Sequence, residues 1–181
     1  MLCQFTDEAG RKTLNHFGPF PRGVYSVGRL DLDSEGLLLL TNDNELNHRL
    51  TDPRFEHPRS YLVQVEGNLS EENLSRLRTG VVIEGKKTKP AEASLMPVEP
   101  DLPARVPPIR FRKNIPTSWI TLTLREGRNR QIRRMTASVG CATLRLVRTA
   151  IGGITLGKLK TGQHRELSEE EIKKLKAGSE M

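Results

Sequence analysis

The sequence predicts an α+β fold with a mixed, largely antiparallel central sheet and flanking helices. Strand-like and helix-like segments follow one another without the regular strand-helix-strand cadence of a parallel sheet. The strand-like segments alternate apolar and polar residues, as strands with one buried face do. With 181 residues, 35% of them apolar, the chain can bury a core as one domain without help from disulfides.

Two strands and a capped helix are predicted in the first third of the chain. Residues 23–29 alternate and indicate a strand, and residues 36–41 indicate a short buried strand, with a polar turn between them. Residues 42–44 read Asn-Asp-Asn and offer the side-chain acceptors that begin a helix. We expect that helix over residues 45–50, ended before Pro53.

The middle of the chain predicts a strand and a helix, followed by shorter elements. Residues 60–66 alternate and indicate a strand. Ser70 is suited to begin a helix, and Gly80 is suited to end it. Two further strands are expected at residues 81–83 and 91–98, and the Pro-rich residues 97–108 indicate an ordered loop.

The next segment combines the strongest strand signal with a helix. Residues 118–125 alternate strongly and stop at Gly127. Residues 129–139 then indicate a helix whose inward face carries Ile132, Met135 and Val139.

A strand and a helix complete the prediction. Residues 142–150 resume strand character. Ser168 and Glu171 have the spacing of a capping box, in which each side chain binds the other residue's backbone. We expect this last helix to reach Gly178.

The charge is concentrated in one segment. The formal net charge is +7, yet residues 105–148 contain ten Arg and one Lys against the single acid Glu126, a net +10. The remainder is therefore about −3. A folded surface with clustered Arg favours a polyanion such as RNA, although a merely solvated basic face is the simpler alternative.

Two clusters of polar residues are candidates for chemistry. Residues 28–36 place Asp31, Asp33 and Glu35 in a turn between strands. Such residues are ordinary turn formers, but paired carboxylates could also serve glycosidic chemistry or bind metal. Residues 126–135 combine a Gly turn, a helix start and several Arg, which suits phosphate binding without the Lys-Ser/Thr of a P-loop. The four His show no metal-ligand spacing, so a catalytic zinc is not expected.

Three motifs resemble the RsuA family of pseudouridine synthases. They read G-R-L-D-L-D-S-E-G-L-L-L-L-T-N-D at residues 28–43, R-S-Y-L-V-Q-V-E-G at 59–67 and E-G-R-N-R-Q-I-R-R-M at 126–135. Their order and spacing match as well, and the resemblance covers about residues 2 to 167. It implies the pseudouridine synthase catalytic fold, with an active-site cleft across the central sheet.

The resemblance also implies a substrate class and a domain organisation. Residues 107–119 and 143–148 are most similar to the family members that act on large-subunit (23S) rRNA and lack an S4 RNA-binding domain. One specific uridine would be isomerised to pseudouridine on a flipped-out nucleotide. We expect a single catalytic domain over residues 1–181, without an S4 domain and without the first strand, ending in Lys-Pro, that family members carry upstream.

Individual roles follow from the motif positions. Asp31 resembles the catalytic aspartate, and Tyr61 resembles the tyrosine that stacks on the uracil and assists a late proton removal. Arg133 best matches the basic residue that pairs with the aspartate, with Arg130 as the alternative. Arg29 resembles the residue that holds the flipped nucleotide or fills its place. Further RNA contacts are expected from Arg110, Arg112, Arg128, Asn129, Arg130, Gln131 and Arg134.

The implied setting is bacterial ribosome biogenesis, with large-subunit rRNA as the partner. The implied isomerisation needs no metal and no other cofactor. We expect a cytoplasmic protein, because no segment approaches 18 consecutive apolar residues and the first residues lack signal-peptide features. We also expect it to be a monomer. Two alternatives from other classes are a non-catalytic rRNA-binding or ribosome assembly protein and, more weakly, a glycoside-cleaving enzyme.

Overall fold

The computed structural model describes residues 2–177, and the chain divides into two compact units. The central unit is Arg59–Val147, and the terminal unit is Met1–Pro58 with Arg148–Met181. Within the described residues the strands are β1 (Tyr25–Ser26), β2 (Glu35–Gly36), β3 (Leu40–Thr41), β4 (Arg59–Glu66), β5 (Val82–Ile83), β6 (Lys86–Lys87), β7 (Glu92–Leu95), β8 (Thr117–Leu124), β9 (Thr143–Ile151) and β10 (Ile154–Thr155). The α-helices there are α1 (Asn44–Thr51), α2 (Glu71–Thr79), α3 (Gln131–Ser138) and α4 (Glu169–Ala177).

The central unit is built on a sheet in the order β9-β4-β8-β7. β4 and β8 are antiparallel along their whole length, from Arg59 opposite Leu124 to Glu66 opposite Thr117. β7 runs antiparallel on the other side of β8. Because successive strand residues point to opposite faces, the predicted alternation gives the sheet one apolar face.

That apolar face carries the core of the central unit. Val63 and Val65 of β4 and Ile120 and Leu122 of β8 are fully buried there. The same cluster contains two side chains from each of two helices, namely Leu74 and Leu77 of α2 and Ile132 and Met135 of α3. The predicted inward face of the third helix is therefore confirmed. Burial of these apolar side chains is the main contribution to the stability of the central unit.

The terminal unit contains a two-stranded sheet, two short strands that pair with β9, and its own core. β1 pairs with β3, while β10 and β2 both pair with β9. Its buried cluster includes Leu46 and Leu50 of α1 and Leu175 of α4. These two helices pack against each other, and Ile151 at the end of β9 joins the same cluster.

The predicted helix caps are confirmed in detail. The Asp43 carboxylate accepts a hydrogen bond from the Leu46 N–H at 2.9 Å, and the Ser70 hydroxyl accepts one from the Asn73 N–H at 3.2 Å. At α4 the Ser168 hydroxyl accepts from the Glu171 N–H, and the Glu171 carboxylate accepts from the Ser168 N–H. The predicted end of this helix at Gly178 lies outside the described residues.

The segment predicted as one strand over residues 36–41 is divided between β2 and β3. Leu37 donates its N–H to the Arg148 carbonyl at 2.8 Å, whereas Leu40 lies opposite Ser26 of β1. The segment thus changes its pairing partner within four residues, which no local pattern reveals. The strand predicted over residues 23–29 is correspondingly short, because β3 offers only two paired positions.

Several short elements were not predicted. They are β6, β10 and the two 3-10 helices Leu14–Phe17 and Pro53–Phe55. Elements of two to four residues are too short to show a period. The antiparallel α+β class is nevertheless confirmed. No helix in residues 2–177 is both long and apolar enough to cross a membrane.

Candidate functional site

The turn that carries Asp31 is held at its start by a buried cysteine. The Leu30 N–H donates to the Cys3 sulfur at 3.3 Å, and the Cys3 thiol donates to the Leu30 carbonyl at 3.7 Å. The Ser34 N–H closes the turn on the Asp31 carbonyl at 2.9 Å. Asp31 is half-buried and Arg29 is exposed. A rigid turn between strands is a favourable place for a polar group that acts on a substrate.

The strand after this turn lies unusually close to β9. A Cβ atom added at Gly36 would lie 2.2 Å from the Arg148 carbonyl oxygen, and the φ angle of Gly36 is +103°. The Arg148 guanidinium is buried and donates from Nε to the Leu37 carbonyl at 2.8 Å. Arg148 belongs to the basic segment, but its role here is to hold the backbone that follows the candidate catalytic turn.

Tyr61 lies on β4 in the central unit, opposite Leu122 of β8. It is half-buried and packs against the apolar cluster on that face of the sheet. The ring is therefore supported by the core while part of it stays accessible. An aromatic ring held in this way is suited to stack on a nucleobase.

The segment before α3 is organised around the buried carboxylate of Glu126, which is 8% exposed. Its Oε1 accepts from the Gln131 side-chain amide at 2.6 Å and from the Lys89 N–H at 2.9 Å. Its Oε2 accepts from Arg128 Nε at 3.2 Å. Charge-assisted hydrogen bonds of this kind compensate the cost of burying a carboxylate. Glu126 therefore fixes the loop that leads into the Arg-rich helix.

Arg128 uses its guanidinium to bind a neighbouring hairpin. Nη1 and Nη2 donate to the carbonyl oxygens of Lys86 and Lys87, at 3.2 and 2.7 Å. Arg134 forms an ion pair with Glu84, in the turn of the same β5-β6 hairpin, and donates to Asn129 Oδ1 at 3.0 Å. The third motif and this hairpin are consequently one connected surface, which presents exposed Lys86 and Lys87 to solvent.

The remaining predicted residues of the third motif differ in exposure. Gln131 is only 4% exposed, and its amide oxygen also accepts from the Arg128 N–H. Arg133 is half-buried on α3, whereas Asn129 and Arg130 are exposed just before it. Arg130 has a φ of +49°, in the left-handed region, at the point where the chain turns into the helix.

Arg110 and Arg112 share one acidic partner on β4. Arg110 Nη2 donates to Glu66 Oε2 at 2.8 Å, and Arg112 Nε lies 3.4 Å from Glu66 Oε1. Both guanidinium groups remain about half exposed, so each keeps donors available to solvent or to a ligand.

Within the central unit the structure thus brings together Arg128, Gln131 and Glu126, and separately Arg110 and Arg112. Asp31 and Arg29 belong to the terminal unit, so the pairing of Asp31 with Arg133 or Arg130 stays a prediction. Sequence reasoning missed the organising roles of Cys3 and Glu126. The only available signal was that Glu126 is the single acid in the basic segment. No three His, Cys, Asp or Glu side chains within residues 2–177 are grouped as a metal site would require.

Comparison with known sequences gives a consistent result. The family described as RNA pseudouridylate synthase matches residues 1–138. Ribosomal large subunit pseudouridine synthase E of Vibrio parahaemolyticus is 51% identical over 166 residues, which cover 92% of this chain and 69% of that protein. The protein of the same name from Xanthomonas campestris is 51% identical, with coverage of 91% and 89%. Ribosomal large subunit pseudouridine synthase B of Bacillus subtilis is 39% identical over 172 residues, covering 94% of this chain and 65% of that protein.

A solved structure supports the same relationship. A crystal structure of a pseudouridylate synthase matches with a TM-score of 0.75 and 32% sequence identity. The match covers 90% of this chain, which spans about 65% of the crystallised one.

Proposed function

The chain belongs to the RsuA family of RNA pseudouridine synthases, and from this premise we propose that it isomerises one uridine of large-subunit (23S) ribosomal RNA to pseudouridine. One observation carries the proposal. Over about nine-tenths of its length, this chain is 51% identical to proteins named ribosomal large subunit pseudouridine synthase E. The relative named synthase B is less similar.

We assign the central chemical role to Asp31. The reaction breaks the bond between uracil N1 and ribose C1′, turns the base, and forms a bond from C5 to C1′. C5 then loses its proton and N1 gains one, so composition and oxidation state are unchanged. An ionised carboxylate can begin this either by attacking C1′ or by removing a ribose proton, and both routes remain open. The hydrogen bond from the Ser34 N–H to the Asp31 carbonyl supports the assignment, because it fixes the backbone that carries the Asp31 carboxylate.

Tyr61 and Arg133 complete the proposed catalytic group. The flipped-out uracil loses its stacking neighbours, and the Tyr61 ring would replace part of that contact before assisting the late proton removal. A guanidinium near Asp31 would keep the carboxylate ionised during catalysis. We propose Arg133 for this role, with Arg130 as the alternative. Measuring Arg133→Leu and Arg130→Leu side by side decides between them, since only the partner of Asp31 should be required for turnover.

The proposed RNA contacts fall into two groups. Arg29, Arg110, Arg112, Asn129, Arg130 and Arg134 retain exposed or half-exposed side chains and would contact RNA directly. Arg128 and Gln131 have their side-chain donors engaged with Glu126, Lys86 and Lys87, so we assign them the positioning of this surface. We further propose that residues 1–181 act as one catalytic domain, as a cytoplasmic monomer and without a metal or other cofactor.

The test compares two acids of the same turn. Asp31→Asn should lower pseudouridine formation on the order of 10⁴-fold, because it removes the reacting carboxylate while keeping the shape of the side chain. RNA affinity should not fall, since a carboxylate makes no attractive contact with phosphate. Asp33→Asn removes the same charge from the same turn and should remain active. Carbodiimide mapping of 23S rRNA from a deletion strain carrying each variant measures the product.

The alternatives give different results. If the wild-type gene leaves every 23S uridine unchanged while the protein still binds rRNA, the chain is a non-catalytic rRNA-binding or assembly protein. Release of free uracil would instead indicate glycosidic cleavage. An active Asp31→Asn variant would remove Asp31 from the catalytic role.

A further inference from the structure

Phe111 is a large aromatic side chain that the fold leaves in solvent. It is 83% exposed, in the irregular segment between β7 and β8. Phe111 has no role in the proposed reaction. A single exposed apolar side chain is common on protein surfaces, so the case for a ligand contact rests on the charged residues that flank this ring.

Two ion pairs connect the residues on either side of this ring to β4. The flanking residues Arg110 and Arg112 both bind the carboxylate of Glu66, at the end of β4. The Ile115 N–H donates to the Arg112 carbonyl at 3.2 Å, and the Gly67 N–H donates to the Pro116 carbonyl at 2.7 Å. The segment is therefore attached to the sheet through its charged residues, while the ring between them faces water.

The surroundings of the ring indicate what it binds. Arg110 and Arg112 flank Phe111 in the chain and Lys113 follows them, and Glu66 neutralises only one of these three charges. Lys is depleted in protein interfaces, whereas single-stranded nucleic acid presents bases for stacking and phosphates for cations. An exposed ring between cations has the chemistry of a base-stacking position.

We propose that Phe111 stacks on an unpaired base of the RNA substrate, at a nucleotide other than the one isomerised, while Arg110 and Arg112 contact the adjacent phosphates. This rests on the proposed function only in taking RNA as the substrate. Stacking on any base is sequence-tolerant, because every base has a π face. Phe111 therefore contributes affinity and positioning rather than the choice of base.

The experiment measures binding of the full chain to a fluorescein-labelled oligouridylate of about 12 nucleotides, by fluorescence anisotropy. Phe111→Ala should raise Kd about 5-fold to 150-fold, which corresponds to about 1 to 3 kcal/mol for one stacked base. Phe111→Leu keeps an apolar side chain without a π face and should bind almost as weakly. Phe111→Trp should bind at least as tightly as wild type, with its indole fluorescence quenched by RNA.

Val106 provides the matched control. It is 92% exposed in the same segment, and Val106→Ala should leave Kd unchanged, while an indole placed by Val106→Trp should not be quenched. Wild-type affinity in Phe111→Ala would overturn the proposal. Full affinity in Phe111→Leu would overturn it as well, because the contact would then be apolar burial and not stacking.

Failure of this inference can be distinguished from failure of the proposed function. Pseudouridine formation by the wild type is measured on the same preparations. An active wild type with an unimpaired Phe111→Ala variant keeps the function and rejects stacking. An inactive wild type whose Phe111→Ala variant loses RNA affinity rejects the function and keeps stacking.

Discussion

At Gly36 the terminal unit has no room for a side chain. Its φ of +103° is unfavourable for other residues, and an added Cβ would overlap the backbone of Arg148. Gly36→Ala should therefore lower the free energy of unfolding by about 3 kcal/mol, the upper end for a strained backbone position. Urea unfolding followed by circular dichroism measures the change.

A substitution at Gly23 separates the effect of a positive φ angle from the effect of overlap with a neighbouring backbone. Its φ is +78°, and an added Cβ would meet no heavy atom within 4 Å. Gly23→Ala should cost only about 1 kcal/mol, from backbone strain alone. Equal losses for the two variants would contradict the close approach of Gly36 to β9.

At the scale of elements, the start of α4 is stabilised by charge. Hydrogen bonds from Arg165 and from the Ser168 N–H lower the pKa of Glu171 from 4.5 to about 2. A lowered carboxyl pKa stabilises the fold above the unfolded value, and that contribution is lost as the pH falls from about 4.5 to about 2. The stability difference between wild type and Glu171→Gln should thus be constant above about pH 5.5 and shrink steadily below it.

Urea unfolding at a series of pH values checks this prediction. Glu170→Gln is the control, because it removes a charge from the same helical turn without touching the capping box. Its stability difference from wild type should not follow the Glu171 curve. A Glu171→Gln difference that stays constant down to about pH 3 would show that the cap does not depend on ionisation.

At the scale of the whole molecule, folding redistributes the positive charge. Arg145 and Arg148 of the basic segment are buried, while Arg128 attaches exposed Lys86 and Lys87, from outside that segment, to the third motif. The double substitution Lys86→Ala/Lys87→Ala should lower the magnitude of the log Kd against log salt slope by about 1.4, because each single-strand phosphate that is no longer neutralised reduces it by about 0.7. RNA binding measured at several KCl concentrations gives the slope.

Lys173 and Lys174 on α4 are the matched pair for this measurement. Both are exposed, and their replacement by Ala removes the same charge from the protein. The slope should then stay at the wild-type value. If both double variants changed the slope equally, net charge and not the hairpin surface would govern RNA binding.

Elements with local determinants could be predicted from the sequence. The caps at Asp43, Ser70 and Ser168 are formed by side chains within three residues of the backbone that they bind. β8 shows a period of two because Ile120, Leu122 and Leu124 are buried on one of its faces. The change of partner between Gly36 and Leu40 could not be predicted, because it depends on strands far away in the chain.

By itself, the sequence determined the family, the α+β class and the candidate residues Asp31, Tyr61 and Arg133, because motifs, periods and caps are local properties. Only the tertiary structure decided which charged and aromatic side chains are available to a ligand. Glu126 and Gln131 are buried together, Arg128 binds backbone, and Phe111 is held in solvent. Burial and hydrogen-bond partners depend on residues distant in sequence. Arginines that are equivalent in the composition therefore differ in how available they are to a ligand.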